Sequence, residues 1–489
     1  MPWTTGQLKT AIENIIKDRL LIIASNREPY IHIYKEGKIE YIRPVGGAVT
    51  ALDPVMKVCK GIWVAYGTGT ADREVVDKSN EIKVPPENPK YTLRRIWLTK
   101  DEENGYYYGY SNKCIWPLFH MAYTRPVFNE VDWAYYKIVN QKFADTILEI
   151  VKKKEAFIWI QDYHLMLLSK LLKEKNKNLI TAHFLHIPWP NPEAFRICPQ
   201  KIEILEGLLA NDLLGFHIRY HCGNFMETVR LELEARVDLE KTSVTYGGHE
   251  TLIRAFPISV DYDQISKEAE SEEVKTEMDR LRDEFSIDSK VFIMVGLDRI
   301  DYTKGIIEKI KAVDRFLEKF PEYKGKVIFI QKGGLSRIHI DKYKELNDRI
   351  NSLVEEVNWK HSTEKWRPIV FVRKHMTRRE IVGLYKIADA CLVSPLHDGM
   401  NLVCKEFIAA KNDLNGVLIL SQFTGAAREL NDAIFVNPYD RESFALAIKE
   451  AIDLPRKEKE RRMKNLRTVV NENNIYKWAG KFLEELKKI

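Results

Sequence analysis

Short runs that are apolar throughout alternate along the whole chain with longer segments of helical periodicity. The runs are LLIIAS (20–25), GIWVAYG (61–67), FIWIQD (157–162), ITAHFLH (180–186), LLGFH (213–217), VFIMVGL (291–297), VIFIQK (327–332), IVFVRK (369–374), ACLVSP (390–395), VLILS (417–421) and AIFVNP (433–438). Helical patterns between them include 132–153, 306–319, 337–357 and 441–452. Strands buried on both faces have this uniform apolar character, and alternating strands and helices build parallel sheets. The pattern therefore predicts an α/β fold of doubly wound, Rossmann-like sheets.

The apolar runs fall into two groups, which divides the chain into two domains. A chain of 489 residues is longer than one hydrophobic core usually serves. The first group ends near IRAFPISVDYDQIS (253–266), and a charged helical segment leads into the second group. We predict one domain over 1–260 and another over 261–489, with the last helix, about 474–489, crossing back to the first domain. Such domains would face each other across a cleft, where ligands reach the carboxyl ends of both sheets.

Composition narrows the class of protein. The formal net charge is +6, and basic residues are interleaved with acidic ones, as in RKEKERRMK (456–464), so no basic stripe for nucleic acid is expected. The sequence has no run of about 18 apolar residues, which predicts that no helix spans a membrane. Six cysteines without a CxxC pair, and an N-terminus without a signal-like apolar core, indicate a reduced, cytoplasmic protein.

Three short patterns resemble ligand motifs but fit ordinary structural roles better. YGTGTAD (66–72) lacks the third glycine of a dinucleotide fingerprint, so we predict a loop there. DYD (261–263) resembles the metal-binding DxD of some glycosyltransferases, yet it precedes a polar helix and fits a cap or a turn. His217 and His221 have Cys222 beside them but no carboxylate to complete a zinc site, and we predict no metal site.

Cationic side chains stand where two strands of the second domain are expected to end. Arg299 and Lys304 lie in GLDRIDYTKGI (296–306), on either side of the turn that leads into the next helix. Arg binds phosphates bidentately and Lys supplies a point charge, so this pair suits a diphosphate. Arg337 follows two glycines in QKGGLSR (331–337), where another phosphate could be held. A pair of surface cations without a ligand is the alternative for Arg299 and Lys304.

The segment LHDGMNLVCKE (396–406) follows the strand ACLVSP and holds two carboxylates. We expect the helix to begin at Asp398 and Gly399, so that free N–H groups from Gly399 to Leu402 form an anion site. The spacing is a little over two helical turns, which would bring Glu406 to nearly the same face as Asp398. Glu406 would accept hydrogen bonds from a ribose, and Asp398 would reach sugar hydroxyls. An N-cap Asp with an exposed Glu is the alternative, and the segment alone does not decide between them.

The first domain supplies polar groups at its own strand ends. Arg27 follows the first strand in ASNREPY, and PVGGAVTAL (44–52) places two glycines before a helix, where backbone can approach a ligand closely. Asp162 and His186 end the strands of WIQDYHL and FLHIPWP. The segment GYYYGYSNKCIWPLFH (105–120) is rich in aromatic residues, which suits either a sugar site or core packing. All these groups fall where doubly wound sheets bind ligands.

Taken together, these segments resemble the trehalose-6-phosphate synthase family of retaining, GT-B-type glycosyltransferases. The matching words run in family order from about residue 20 to 485, nearly the whole chain: SNR, VGGAVTAL, YSNKCIWPLFH, WIQDYHLMLL, FLHIPWPNPEAF, DLLGFH, DRIDYTKGI, PLHDGMNLVCKEF and SQFTGAARELNDAIFVNPYD. The resemblance implies a GT-B fold, with two doubly wound domains facing each other across a cleft.

The resemblance also implies a reaction and its substrates. Family members transfer glucose from a nucleotide-glucose, typically UDP-glucose, to glucose 6-phosphate, and form trehalose 6-phosphate with the anomeric configuration kept. The nucleotide sugar is a substrate, so no cofactor and no metal ion are expected. We expect neither nucleic-acid nor membrane partners. A homo-oligomer is compatible with this interpretation, and a separate phosphatase is expected downstream.

Matched position by position, the resemblance implies roles for individual residues. Arg299 and Lys304 match ligands of the donor diphosphate, and His186 matches a residue beside the reacting sugar. The predicted catalytic set is His186, Asp162, Arg299, Lys304 and Asp398. The predicted donor-binding set is Gly47, Arg299, Lys304, Asp398, Gly399, Met400, Asn401, Leu402, Val403 and Glu406, in which Asp398 contacts the sugar and Glu406 the ribose. The predicted acceptor-binding set is Arg27, Tyr107, Trp116, Asp162 and Arg337.

Departures from the family pattern bear on substrate choice. Many family members have Arg where His397 precedes DGMN, so a charge at the donor end is lost or depends on pH. The sequence leaves the choice among UDP, ADP and GDP open. Alternatives are a sister enzyme with another phosphorylated acceptor, such as a glucosylglycerol-phosphate synthase or a pseudo-glycosyltransferase, or a non-catalytic regulator. Such regulators usually lose donor residues, whereas the donor residues are all present here.

Overall fold

The structure is a computed structural model that describes residues 2–16, 19–44, 47–152, 154–334, 337 and 339–489, apart from the side chains of residues 48 and 50. The chain forms two compact units. Unit 1 comprises Met1–Ile258 together with Ile475–Ile489, and unit 2 comprises Ser259–Asn474. The boundary predicted at 260 lies beside the observed division after Ile258.

Unit 1 is built on a ten-stranded sheet and a separate two-stranded hairpin. Its strands are β1 (Leu20–Ser25), β2 (Ile31–Lys35), β3 (Lys38–Ile42), β4 (Ile62–Tyr66), β5 (Glu81–Val84), β6 (Tyr91–Ile96), β7 (Ala156–Gln161), β8 (Ile180–Phe184), β9 (Leu213–Phe216), β10 (Arg236–Asp238), β11 (Ser243–Tyr246) and β12 (His249–Ala255). Its first helices are α1 (Thr5–Ile16), α2 (Gly47–Cys59), α3 (Lys100–Glu102), α4 (Trp116–His120), α5 (Glu130–Val151), α6 (Leu168–Lys175), α7 (Pro192–Phe195), α8 (Lys201–Leu209) and α9 (Arg219–Leu233). A π-helix, Glu103–Ile115, joins α3 to α4, and a 3₁₀ turn, Tyr163–Leu165, follows β7.

The strands of the large sheet lie in the order β10-β11-β12-β9-β8-β7-β1-β4-β6-β5. Those from β12 to β6 run parallel, and antiparallel strands flank them at both edges. From β1 the chain winds outward through β4 and β6, and then in the other direction through β7, β8 and β9. The point where the winding reverses therefore lies between β1 and β7, and ligands of such sheets bind there, beyond the carboxyl ends of the strands.

Unit 2 has six strands and eight α-helices among its described residues. The strands are β13 (Phe292–Arg299), β14 (Val327–Gly334), β15 (Ile369–Val372), β16 (Ala390–Val393), β17 (Val417–Ser421) and β18 (Ile434–Val436). The helices are α10 (Tyr262–Glu268), α11 (Glu272–Glu284), α12 (Ile306–Lys319), α13 (Asp341–His361), α14 (Arg378–Ile387), α15 (Leu402–Ala410), α16 (Arg441–Asp453) and α17 (Arg456–Glu472). A 3₁₀ turn, Tyr302–Lys304, connects β13 to α12.

The sheet of unit 2 is parallel throughout, with the strand order β15-β14-β13-β16-β17-β18. This is the doubly wound arrangement in which the winding reverses between the first and fourth strands, here β13 and β16. The predicted doubly wound architecture is therefore confirmed in both units.

The apolar runs become strands because both of their faces are covered. Every residue of β7 and of β17 is buried, which is possible only where side chains on both faces find apolar partners. In unit 2 the core combines strand residues such as Phe329 and Ile419 with Ile310 and Val313 of α12. The helix predicted over 306–319 is α12, and its bounds agree with the prediction.

The last helix, α18 (Ile475–Leu486), belongs to unit 1. Phe482 stacks on Trp159 of β7, with ring centroids 4.5 Å apart, and the ring of Trp478 lies 5.1 Å from that of Trp159. The indole N–H of Trp478 donates to the carbonyl of Phe256 at 3.2 Å. Aromatic packing of this kind attaches α18 to the parallel strands of unit 1.

Three local features bear on the sequence-based expectations. The helix predicted over 337–357 is α13, which begins only at Asp341, because its N-cap, Ile340, has an extended backbone with φ −103° and ψ 119°. The β2–β3 hairpin was not predicted, because every residue of β3 is exposed and the strand has no apolar run. The Asp261 carboxylate caps α10 by accepting from the Gln264 N–H, which agrees with the capping interpretation of DYD.

One further prediction concerns membranes. Within the described part of the chain, no helix combines the length and the apolar character needed to cross a bilayer.

Candidate active site

The predicted donor residues of unit 2 meet where the winding of its sheet reverses. Arg299 is the last residue of β13 and is exposed, and Lys304 closes the 3₁₀ turn that follows. Asp398 comes shortly after β16, the neighbouring strand. Lys304 Nζ donates to Asp398 Oδ2 at 2.7 Å, and about 13% and 14% of these two side chains are exposed. The structure therefore brings together two residues that are 94 positions apart.

Backbone contacts hold the two loops of this ion pair against each other. The N–H of Leu396 donates to the Thr303 carbonyl at 2.7 Å. Gly305 has a positive φ of 62°, and a Cβ atom there would lie 2.1 Å from the Ser394 carbonyl oxygen. Any larger residue at this position would push the turn of Lys304 away from the loop of Asp398.

Helix α15 begins three residues later than the sequence predicted. The first helical residue is Leu402, and the N-cap is Asn401, whose Oδ1 accepts from the Cys404 N–H at 3.1 Å. Asp398 cannot join the helix, because its N–H donates to Phe423 and its carbonyl accepts from Gly425. The expectation that Asp398 starts the helix is therefore wrong, and so is the alternative that it is the N-cap.

The later start moves the predicted anion site along the chain. The N–H groups of Leu402 and Val403 are the first two of α15 and have no acceptor one turn earlier. Gly399 and Met400 are buried in the loop before the helix, where the Thr424 hydroxyl donates to the Met400 carbonyl at 2.7 Å. The helix itself therefore offers the N–H groups of Leu402 and Val403, two members of the predicted donor set, to an anion.

Glu406 lies on α15, but not on a face shared with Asp398, because Asp398 is outside the helix. Its side chain is partly buried, and Oε2 accepts a hydrogen bond from the Tyr385 hydroxyl at 3.0 Å. Burial raises the pKa of Glu406, while the Tyr385 hydrogen bond and the charge of Arg378 oppose this shift. Glu406 is thus neither an exposed surface acid nor paired with Asp398.

The buried carboxylate of Asp301, which the sequence analysis missed, organises the turn after β13. Its Oδ1 accepts from the N–H and hydroxyl of Thr303, at 3.0 and 2.9 Å. Its Oδ2 accepts from the Tyr343 hydroxyl at 3.2 Å and from Arg337 Nη1 at 3.3 Å. Burial alone would raise the pKa of Asp301, but the charges of Arg337 and then Arg299 bring it to about 2. The spacing of the motif did not predict this role of Asp301, because the role depends on Arg337, which lies in the connection between β14 and α13.

Arg337 is the one predicted acceptor residue that lies in unit 2, in the same unit as the donor residues. Only 3% of its side chain is exposed, and Nη1 also donates to the Tyr343 hydroxyl at 2.7 Å. Its guanidinium lies 5.5 Å from the centre of the Tyr343 ring. Leu335 and Ser336 of the QKGGLSR segment lie outside the described residues.

In unit 1 the predicted acceptor residues gather at the corresponding point, between β1 and β7. Arg27 follows β1, and its Nη2 donates to the Tyr107 hydroxyl at 2.5 Å while its guanidinium lies 4.8 Å from the centre of the Tyr107 ring. The Tyr107 ring stacks on His164, with centroids 5.8 Å apart. Arg27 is exposed and Tyr107 is buried, so the buried ring supports a guanidinium that reaches solvent.

Asp162, the residue after β7, has an unusual backbone conformation. Its φ is 68° and its ψ is 174°, a region that non-glycine residues rarely adopt. Several hydrogen bonds hold it: its N–H donates to the Phe184 carbonyl, its carbonyl accepts from His183 Nε2 at 2.9 Å, and its Oδ1 accepts from the His186 N–H at 3.1 Å. Strain that neighbouring groups maintain in this way is typical of functional positions.

The aromatic segment 105–120 packs mainly in the core, and one of its rings contacts Arg27. Tyr106 and Tyr110 of the π-helix are fully buried and belong to the core, whereas Tyr107 contacts Arg27. Trp116 is 5% exposed, and its ring packs against Tyr163, so it contributes at most an edge to a ligand. π-Helical geometry is rare and is frequent at functional sites.

A buried ionic network shapes the loop that carries Arg27. Glu28, the next residue, accepts from Arg95 Nε at 2.8 Å, and Asp72 accepts from Arg95 Nη2 at 2.8 Å. Glu28 Oε1 also accepts from the Thr68 N–H, and Asp72 Oδ2 accepts from the Gly69 N–H. Burial and the hydrogen bond with Asp72 raise the pKa of Glu28 to about 8. YGTGTAD is therefore a loop, as predicted, and its Thr68 and Gly69 N–H groups donate to the carboxylates of this network.

Gly47 starts α2 with a positive φ of 79° and is exposed. No heavy atom among the described residues lies within 4 Å of a Cβ built there. Its neighbour in the predicted glycine pair, Gly46, lies outside the described residues. His397, next to Asp398, is partly buried.

Comparisons with known proteins extend over both units. The family described as glycosyltransferase family 20 matches residues 18–488. A relative from Candida albicans, named alpha,alpha-trehalose-phosphate synthase (UDP-forming), is 37% identical over 476 residues, which are 96% of this chain and 97% of the relative.

Solved structures give the same result. One from E. coli, described as bound with UDP-2-fluoro glucose, is 30% identical, has a TM-score of 0.85, and is matched over 96% of this chain and 99% of that one. Another is an alpha,alpha-trehalose-phosphate synthase (UDP-forming) from Burkholderia xenovorans in complex with glucose-6-phosphate, 28% identical, with a TM-score of 0.85 over 95% and 99% of the two chains. Their similarity confirms the predicted GT-B fold. The chain therefore belongs to glycosyltransferase family 20, the family of the trehalose-phosphate synthases.

Proposed function

We propose that this protein transfers glucose from UDP-glucose to glucose 6-phosphate and forms trehalose 6-phosphate. The observation that carries the proposal is the Lys304–Asp398 ion pair at the reversal point of the unit 2 sheet, with Arg299 and the start of α15 at the same edge. The similarity to a UDP-forming synthase, and to structures bound with UDP-2-fluoro glucose and with glucose-6-phosphate, supports it.

The donor diphosphate would be bound by two cations and a helix N-terminus. Lys304 has three N–H donors and directs one of them to Asp398, so two remain for phosphate oxygens. The exposed guanidinium of Arg299 offers a bidentate fork, and the N–H groups of Leu402 and Val403 add the positive end of α15. These groups stabilise the negative charge that develops as UDP departs, so the scheme uses no cofactor and no metal ion.

The carboxylate oxygens of Asp398 and Glu406 would select the donor by its hydroxyl groups. Asp398 Oδ2 already accepts from Lys304, and Asn401 Nδ2 lies 3.4 Å from it, so the orientation of this carboxylate is set before a sugar binds. We propose that Asp398 accepts from hydroxyls of the glucose and Glu406 from those of the ribose.

The acceptor would be bound through its phosphate and its hydroxyls. The exposed guanidinium of Arg27, which donates to the Tyr107 hydroxyl, would bind the acceptor phosphate. Within unit 1, Asp162 and the edge of Trp116 would contact the sugar, and a role of Arg337 in acceptor binding stays a prediction. Hexose binding is favoured over a smaller acceptor because aromatic rings line this part of unit 1.

We infer that the reaction keeps the anomeric configuration by occurring on one face of the sugar. In this scheme the C–O bond to the diphosphate breaks, the acceptor hydroxyl forms the new bond on the same face, and the departing phosphate oxygen takes its proton. Arg299, Lys304 and α15 stabilise the leaving group during this step. Isolation of a covalent glucosyl-enzyme would contradict the scheme.

The proposal is tested by supplying nucleotide-glucoses and phosphorylated acceptors in all combinations and identifying the products. We expect UDP and trehalose 6-phosphate as the main products from UDP-glucose and glucose 6-phosphate. The Lys304→Met variant should lower kcat/KM by about 100-fold, because it removes a charge on the leaving group. Lys290→Met, an exposed position in the same unit, should leave kcat/KM unchanged.

Two outcomes would change the assignment. If glycerol 3-phosphate is as good an acceptor as glucose 6-phosphate, the protein is a sister enzyme with another product. If no combination gives transfer while UDP still binds, the protein is a non-catalytic member of the family. Its preference for UDP, a homo-oligomeric state, a cytoplasmic location and a separate downstream phosphatase stay predictions.

A further inference from the structure

Gln161, the last residue of β7, points its side-chain amide at the imidazole of His186. Gln161 is 2% exposed, and its Oε1 lies 2.9 Å from His186 Nε2. Its own amide nitrogen, Nε2, is buried and makes no hydrogen bond to the described residues. The contact with His186 is therefore the one hydrogen bond that the Gln161 side chain makes within the described part of the chain.

The contact fixes the position of the ring proton. Burial, and then the neighbouring His183, lower the pKa of His186 to about 3, so the ring is neutral near pH 7 and carries a single N–H. Because the amide oxygen of Gln161 is an acceptor only, that N–H is at Nε2. The lone pair therefore stays on Nδ1, which makes no hydrogen bond within the described part of the chain.

Among the described residues, Gln161 makes the one side-chain hydrogen bond to the His186 ring. The aromatic faces of Phe184 and Trp478 lie 4.8 and 6.5 Å away by ring centroids. The titratable groups that face it are His183 on β8, His217 after β9 and the carboxylate of Asp162. Asp162 Oδ1 accepts from the His186 backbone N–H, so this carboxylate is directed at the main chain.

We propose that Gln161 is a positioning residue that holds His186 as the Nε2–H tautomer, so that Nδ1 accepts a hydrogen bond from a hydroxyl of the transferred sugar. This inference rests on the proposed function and on the resemblance to the family, which implies that His186 lies beside the reacting sugar. Glutamine suits this role because it accepts one hydrogen bond without attracting a second proton to the ring. A carboxylate at the same position would favour an imidazolium, whose Nδ1 donates and cannot accept.

The tautomer is tested without substrate, on the full chain with ¹⁵N-labelled histidines. The nuclear magnetic resonance spectrum of the His186→Gln variant identifies the ring-nitrogen signals of His186, because they are missing from it. We expect the parent protein at pH 7 to show a protonated Nε2 and an unprotonated Nδ1. In Gln161→Glu both nitrogens should be protonated at that pH. A parent protein with its proton on Nδ1 would overturn the inference, whatever the activity.

Kinetics then test the consequence. Gln161→Glu raises the pKa of His186, so its kcat at pH 7 should fall by about tenfold, the effect of one lost hydrogen bond. Activity should recover as the pH rises through the new pKa and the ring becomes neutral. Gln161→Leu should show a smaller loss that does not depend on pH. A variant that had merely lost its fold would not recover with pH.

Gln7→Glu is the matched control. Gln7 is exposed on α1, and its Oε1 accepts from the Thr4 N–H at 2.9 Å, a bond that a carboxylate keeps. It should change neither the histidine spectrum nor the pH profile. If the parent transfers glucose and Gln161→Glu has the same pH profile as the parent, the inference is wrong while the proposed function stands. If the parent transfers no sugar, the proposed function fails, and the spectrum still decides the tautomer.

Discussion

Asp162, Asp301 and Asp398 all follow strands, and each is fixed by a different interaction. Hydrogen bonds hold Asp162 in a strained backbone conformation, burial among cations holds Asp301, and Lys304 holds Asp398. In every case the orientation of the carboxylate is set before a ligand arrives. Preorganisation of this kind lowers the reorganisation needed during a transfer reaction.

Asp301 should make the free energy of unfolding depend on pH in acid. The pKa of Asp301 is about 2 in the folded chain, below its ordinary value of 3.8, so the ionised form favours folding. This contribution, about 2 to 3 kcal/mol, is fully present above about pH 4 and is lost as the pH falls through 2. Asp301→Asn should therefore be less stable than the parent at pH 7, and the difference should narrow between pH 4 and pH 2. Urea unfolding across that range measures it, and a constant difference would contradict the prediction.

Gly425 should not tolerate even a methyl group. A Cβ atom there would lie 2.0 Å from the Gly399 carbonyl oxygen, in the loop between Asp398 and α15. Gly425→Ala should cost about 1 to 3 kcal/mol of unfolding free energy and lower kcat/KM for the nucleotide sugar. Gly223→Ala, inside α9 with open space around it, should be neutral or stabilise by up to about 1 kcal/mol. Equal effects of the two changes on stability and activity would contradict the steric argument.

At the scale of elements, the sequence predicted what depends on local pattern. The strands and α12 could be predicted from apolar runs and helical periodicity. A buried strand or a buried helix face requires apolar residues at a regular spacing, and that spacing is visible in the sequence. The start of α15 did not follow, because Asp398 and Asn401 are equally suitable caps. The choice between them is made by the bonds of Asp398 to Phe423 and Gly425, which no local pattern contains.

In the candidate site, too, the sequence did not predict the roles that depend on contacts between distant segments. The resemblance predicts roles for residues such as Lys304 and Arg27 because they lie in matching words of the family pattern, DRIDYTKGI and SNR. Asp301 and the Arg95 network were missed, because their roles depend on partners from separate connections. The π-helix was also missed, since its aromatic residues suit an α-helix, a strand or a loop equally well from the sequence alone.

The two glycines of the π-helix should differ in how well they accept alanine. A Cβ at Gly105 would lie 2.4 Å from the Tyr135 ring and 2.8 Å from Tyr135 Cβ, so rotation of that side chain cannot remove the clash. A Cβ at Gly109 would meet the Asp132 carboxylate at 2.4 Å, and a carboxylate can turn away. Gly105→Ala should therefore cost about 1 to 3 kcal/mol, and Gly109→Ala less. Chemical unfolding gives the ranking, and the reverse order would show that α5 does not set the position of the π-helix.

At the scale of the molecule, the two units share the same doubly wound sheet topology. Both sheets wind outward in two directions from a central strand, β1 or β13, and the predicted ligands of each unit follow that strand and its neighbour across the reversal point. The positions of the functional groups follow from topology, because only at that point do adjacent connections leave on opposite faces of the sheet. The chain differs from two domains in series in that α18 returns to unit 1.

The return of α18 should make the stability of unit 1 depend on the end of the chain. Phe482 is fully buried, stacks on Trp159 and lies edge-on to Phe256 at 5.0 Å, so Phe482→Ala should cost about 3 to 5 kcal/mol. A chain of two units need not unfold in one step, so the loss is measured separately by hydrogen exchange of strand amides.

We expect faster exchange in β7 and β8 of this variant and unchanged exchange in β13 and β16. Leu446→Ala, a truncation at a half-exposed position on α16, should change the exchange rates of neither pair of strands, because little apolar contact is lost. If Phe482→Ala accelerates exchange in the strands of both units equally, the two units unfold as one, and α18 is not specific to the stability of unit 1. If neither set changes, the aromatic stack on Trp159 contributes little, and unit 1 is held by its sheet alone.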